Sequence, residues 1–213
     1  MRKLIVGLVA SVGIAFAAGQ AQAATFGFTG TNELPTGSLS FTIDGITVDV
    51  TAGTFPGIGP GPNPSNINFA TRLVDQDPDG LGADGILDGD QVDGALGNDV
   101  LVFTFSREVF FDEITFGNVD GNDDFAFGSV TGNSFLRFVN FQDVVNPTQV
   151  ASFTTPDQRR GTSFGIGAIG AADNFTIASI SVTAVPLPPA LLLLGSALVG
   201  LGFMSRRRRQ AAA

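Results

Sequence analysis

Carboxylates carry the chemistry of this sequence, and one stretch concentrates them. Asp75, Asp77, Asp79, Asp84, Asp88, Asp90, Asp93 and Asp99 are eight of the twenty acidic residues. No Lys or Arg lies between Arg72 and Arg107. Unopposed carboxylates held close together repel one another, and a hard divalent cation relieves that repulsion through oxygen ligands. Asp75, Asp77, Asp79, Asp84, Asp88 and Asp90 are therefore the candidate calcium ligands. A solvated loop whose Asp and Gly residues supply turns explains the same composition, so both readings stay open here. A second cluster, Asp120-Gly121-Asn122-Asp123-Asp124, reads first as a turn between two Phe-rich runs and second as another ligand loop.

The spacing of the first members is partly specific. Asp75, Asp77 and Asp79 followed by Gly80 resemble the first half of an EF-hand-type calcium loop. That resemblance implies three alternating ligands and a sharp turn at the glycine. It stops at position twelve, which is Ile86 rather than a bidentate Glu, and no helical pattern flanks the stretch. A site would have to close with Asp84, Asp88 or Asp90. An extracellular site of this kind binds calcium weakly, with Kd on the order of 10⁻⁴–10⁻³ M.

Absences narrow the rest. His, Cys, Trp and Tyr do not occur, and the only Lys is Lys3. No Ser-His or Cys-His pair, Lys base, Tyr acid or imidazole metal ligand can be assembled. Disulfides are excluded, and zinc would have to rely on carboxylates alone. Paired carboxylates, as in glycosidases, are the catalytic chemistry left. No pair stands out from the general acidity, so the expectation is a protein that is not an enzyme.

The elements that must position the acidic residues read as strands. Apolar-rich runs at 25–29, 39–43, 46–50, 66–73, 100–105, 109–116, 125–130, 135–141, 149–153, 162–169 and 175–183 are separated by Gly, Pro, Asn and Asp clusters. Residues 100–105 are apolar on both faces, as a central strand requires. In 175–183 the second half turns Ser179 and Ser181 to one side, as in a strand with one wet face. Asp44-Gly45 between two alternating runs predicts a hairpin. Residues 51–66 are rich in Gly and Pro and read as a loop, as does the acidic stretch itself. No amphipathic helix is evident. Many short strands favour an all-β, two-sheet antiparallel sandwich of jelly-roll or immunoglobulin-like kind, spanning residues 24–184.

The two ends read differently. Arg2 and Lys3, the apolar run 4–18, and Ala21-Gln22-Ala23 have the three parts of a signal peptide over residues 1–23, with cleavage before Ala24. A buried N-terminal helix is the alternative. Residues 185–204 carry no charge, enough for a transmembrane helix over 186–204 across a hydrocarbon core of about 30 Å. Arg206, Arg207, Arg208 and Arg209 follow, a cytoplasmic anchor by the positive-inside rule. With these ends set aside, five arginines face twenty acids, a net charge of −15 against −9 for the whole chain. Such a surface does not suit nucleic acid, which needs clustered cations.

The tail opens with Val185-Pro186-Leu187-Pro188-Pro189-Ala190, continues as the apolar run and closes on the arginine cluster. This order resembles the PEP-CTERM sorting signal of Gram-negative bacteria, in its VPLPA-type variant. The resemblance covers about the last 25 residues. It implies signal peptidase and an exosortase-type membrane protease as partners, cleavage at the Pro motif, and passage through an inner-membrane intermediate to the cell surface or extracellular matrix. The expected function is an exported, non-enzymatic surface or matrix protein contributing to exopolysaccharide or biofilm. A calcium-dependent carbohydrate-binding module and a plain single-span anchored surface protein are the alternatives.

Overall fold

The computed structural model describes residues 21–31, 34–56, 66–85, 89–141, 150–155 and 159–186, together with Gly195. Residues Ala21–Val185 form one compact unit. Its strands are β1 (Ala23–Gly27), β2 (Leu39–Ile43), β3 (Ile46–Phe55), β4 (Leu73–Asp77), β5 (Gly80–Asp84), β6 (Val92–Asp93), β7 (Asn98–Gly117), β8 (Phe125–Thr131), β9 (Ser134–Phe141), β10 (Val150–Ser152), β11 (Arg160–Ala168) and β12 (Asn174–Ala184). All pair antiparallel, joining into one large, nearly barrel-like sheet whose main path is β4-β5-β12-β7-β11-β8-β9. Among the described residues no helix is long and apolar enough to cross a membrane. The expected signal peptide, apart from residues 21–23, and the expected transmembrane helix, apart from Pro186 and Gly195, lie outside the described residues.

Strand β7 organises the unit. Its first half pairs with β3 on one side and β11 on the other; its second half pairs with β12 and β10. The sequence predicts two strands here, parted by Ser106-Arg107-Glu108. The structure runs one strand through them, because ladder hydrogen bonds come from the backbone and these three side chains are exposed. In the first half, Leu101, Phe103 and Phe105 enter the main core while Val100 and Val102 enter a second, smaller one. Both faces are buried, as the apolar pattern requires.

Phenylalanine builds the main core. Phe26, Phe28, Phe103, Phe111, Phe116, Phe127, Phe164 and Phe175 are fully buried. Burying each contributes roughly 1.5–3 kcal/mol, and a ring carries no hydroxyl or indole N–H needing a partner. Phe111 meets Phe153 edge-on at 5.7 Å, and Phe127 stacks on Phe164 at 5.6 Å.

Several expectations need correction. The predicted strand at 66–73 is absent as such: Asn68 makes only an isolated bridge to Thr54, and the strand starts at Leu73. Strand β3 continues to Phe55, into what reads as loop, because Thr51 to Phe55 find partners on β7 from Val102 to Asn98. The acidic stretch is not one loop; β4, β5 and β6 lie in it. In β12 a bulge at Ala178 interrupts the alternation, so Phe175, Ile177, Ile180 and Val182 all reach the main core. Ser179 and Ser181 are only half-buried there, and Thr25 of β1 hydrogen-bonds Ser181 at 2.9 Å. The hairpin at Asp44-Gly45 forms as predicted, with positive φ at both residues (51° and 71°).

Candidate metal centre

Strand β4 has poor β-formers, so pairing, not propensity, makes it. It is zipped residue by residue to β5, and Thr36 bridges Val74 from the other side. On a strand, residues two apart share a face, which puts Asp75 and Asp77 side by side. Strand β5 in turn pairs with β12 at Leu81 and Ile177, holding the hairpin against the main sheet.

The third carboxylate comes from the segment that follows β5. There the chain crosses directly over Gly82: a Cβ at that position would lie 1.6 Å from the carbonyl oxygen of Asp90. Ala83 N–H also donates to the Gln91 carbonyl at 3.4 Å. Only a residue without a side chain lets the backbone pass so close. That passage delivers Asp90 to Asp75 and Asp77. One carboxylate oxygen from each of the three lies within 4.8 Å of the others.

The electrostatics are unbalanced. Two unit charges about 4 Å apart repel by roughly 4 kcal/mol at an effective dielectric near 20. Asp75 is 7 % exposed, and its Oδ1 is buried with no hydrogen-bond partner. Burial pushes the Asp75 carboxyl above its ordinary value; the Gln76 backbone N–H opposes this, and the Asp90 and Asp84 charges add to it. Asp77 is pushed up to about 6 by burial, then by a hydrogen bond with Asp90 and by repulsion from Asp75, Asp90 and Asp79. The cluster opens on a hollow of about 190 Å³ bordered by Asp77, Asp79, Asp90, Asn118 and Thr176.

Three of the six expected ligands therefore converge. Asp79 lies past the end of β4 in an exposed turn, where its backbone carbonyl accepts the Thr176 hydroxyl at 2.8 Å. Its carboxylate is outside the three-oxygen group, although its charge acts on Asp77. Asp84 ends β5 opposite Leu73 and borders a different hollow with Arg72. Asp88 lies outside the described residues. The arrangement is a hairpin plus a crossing segment rather than an EF-hand-like loop, and the alternating spacing succeeds because a strand also repeats every two residues. The buried pair of Arg72 and Asp99, 2.7 Å apart, has no sequence signal beyond Arg72 being the nearest cation to the acidic stretch.

The second acidic cluster is built on another principle. Asp123 is 1 % exposed and accepts the backbone N–H groups of Asn174 at 2.9 Å and Asp120 at 2.6 Å. Asp173 accepts those of Asp124 at 3.2 Å and Gly170 at 2.6 Å. Asp120 accepts that of Asn122 at 3.0 Å. This is a hydrogen-bonded turn, the first of its two sequence readings.

Among the expected processing residues, those described lie where β1 pairs with the last residues of β12. Ala23 faces Thr183 and Ala24 faces Val182 across β1 and β12, and the Ala184 N–H donates to Gln22. Val185 N–H donates to Glu108 at 3.0 Å. Ala21 and Pro186 are exposed, whereas Ala24 is buried. Leu187, Pro188, Pro189, Ala190, Arg206, Arg207, Arg208 and Arg209 lie outside the described residues. No family model, curated protein or solved structure matches this chain.

Proposed function

We propose that the chain is an exported, non-enzymatic surface or matrix protein whose acidic β domain is displayed from one end and released or held through its C-terminal tail. The supporting observation is the pairing of β1 with β12. It brings the chain into and out of the domain side by side, at Gln22 and Val185. A domain with both ends at one point can be hung from a single attachment without threading the chain through its core. The sequence contributes the signal-like start, the Pro motif with its apolar run and arginine cluster, and the absence of His, Cys and Tyr. The fold that accompanies this reading is a two-sheet sandwich, supported by the change of partners between the two halves of β7.

The same pairing constrains maturation. The bond between Ala23 and Ala24 lies inside β1, with Ala24 buried, so signal peptidase must cut before β12 captures this strand. β12 is the last strand of the domain, which leaves a window during export. Fractionation with mass mapping of the C-terminus tests the proposal. Protein outside the cell, beginning at Ala24 and ending between Val185 and Ala190, supports it. Full-length protein retained in the membrane would leave the plain anchored reading, and protein in the cytoplasm would end both.

A further inference from the structure

We propose that Asp75, Asp77 and Asp90 bind one calcium ion, which clasps the chain at Asp90 onto the β4–β5 hairpin. The inference concerns the folded domain alone and does not depend on export or on the fate of the tail. Two independent observations carry it. The first is convergence: three carboxylate oxygens, two from alternate positions of one strand and one from Asp90, thirteen residues beyond the second of them in sequence, lie within 4.8 Å of each other. The second is that Asp75 Oδ1 is buried and has no hydrogen-bond partner. A buried carboxylate oxygen without a donor is costly, and such oxygens in proteins are usually satisfied by a hydrogen bond or a metal.

The donor set selects the ion. All three donors are hard oxygens, and the chain has no His or Cys to favour a softer metal. Calcium lies about 2.3–2.6 Å from its oxygens and accepts irregular geometry. Oxygens up to 4.8 Å apart can therefore share one calcium ion. Magnesium lies at about 2.0–2.1 Å, demands a regular octahedron and gives up water reluctantly, so three protein carboxylates on separate segments suit it less. The cluster opens on the hollow beside Asp79 and Asn118, which leaves room for water ligands to complete a coordination shell.

The ion's structural role follows from the crossing at Gly82. The backbone at Asp90 lies against that glycine, and next to it the Gln91 carbonyl accepts a long bond from Ala83. A divalent ion joining Asp90 to two residues of β4 supplies a strong tie at that crossing.

The test uses the full chain in a mild detergent, stripped with chelator and titrated calorimetrically with calcium or magnesium chloride. Expected is saturable binding of one calcium per chain, with Kd on the order of 10⁻⁴–10⁻³ M, and a higher Tm in millimolar calcium than in chelator. Asp90→Asn, at an exposed position that should not disturb folding, should weaken calcium binding at least about tenfold, the usual scale for an altered metal site. Asp49→Asn, an exposed acid on β3 outside the three-oxygen group, should bind as the parent does. No saturable binding at millimolar calcium would overturn the inference. So would equal affinity in Asp90→Asn and the parent, or an equal loss in Asp49→Asn, which would mean diffuse counter-ion attraction to an acidic surface.

Discussion

Two acidic clusters of this protein, Asp75-Asp77-Asp90 and Asp120-Asp123-Asp173, use the same residue type for opposite ends. In the second, the buried carboxylate of Asp123 and that of Asp173 each receive two backbone N–H groups, and Asp120 receives one. The carboxylates there tie loops together, and the ligands they need are already in the chain. In the first, carboxylates face carboxylates, and one buried oxygen has no donor. Acidity alone says nothing about metal binding; the source of the hydrogen-bond donors separates a loop clamp from an ion site.

That contrast can be broken in four ways. The largest effect is expected at the clamp. Asp123→Ala strands two N–H donors at a buried site, so urea unfolding should show a loss of about 3 kcal/mol, identical with and without calcium. A loss that calcium reverses would assign the ion to the wrong cluster. At the crossing, Gly82→Ala places a methyl group against the Asp90 backbone. The chain there must move, costing about 1–3 kcal/mol by the usual scale of overpacking, and calcium affinity should fall along with stability. Unchanged affinity would show that the crossing does not position Asp90.

Asp75→Asn sharpens the comparison further, because its sign depends on the ion. Without calcium the substitution removes a buried, poorly partnered charge, and stability should hold or rise by about 1 kcal/mol. With calcium it removes a ligand, and the calcium-dependent gain in Tm should vanish. A loss of stability in chelator equal to that in calcium would point to a purely structural role.

The smallest effect is on pH. The Asp77 carboxyl is pushed up to about 6 from an ordinary value of 3.8, so between those values the folded protein holds a proton that the unfolded chain releases. Stability of the ion-free protein from this group is therefore greatest below about 3.8 and falls as pH rises through 6. Asp75 and Asp123, both raised by burial, add in the same direction. Calcium competes with that proton, so the calcium-dependent gain should grow as pH rises through 6. Thermal melts between pH 4.5 and 7.5, with calcium and with chelator, check both signs.

Strands with ordinary chemistry are plain in the sequence. Residues 39–43 form β2 as read, and Asp44-Gly45 turns as read, because alternation and turn preference agree there. What the sequence hides is structure imposed from outside. Asp75, Asp77, Gly80 and Gly82 are poor strand formers, yet β4 and β5 exist because each pairs with the other and β5 rests on β12. Ser106-Arg107-Glu108 looks like a break, yet the ladder runs through it. At the candidate site, the period of two in Asp75, Asp77 and Asp79 marks the right neighbourhood. It gives Asp79 a place that the end of β4 takes away. Asp90 was one acid among several in the sequence, and nothing local distinguishes it; its position depends on Gly82, eight residues earlier, having no side chain.

The most direct test of the account is to crystallise the protein, soak it in calcium or a lanthanide, and locate the ion by anomalous scattering. One peak is expected at about 2.3–2.6 Å from carboxylate oxygens of Asp75, Asp77 and Asp90, and none at Asp120, Asp123 or Asp173. A peak at the second cluster, or a Asp75-Asp77-Asp90 cluster that stays free of metal at millimolar calcium, would contradict it.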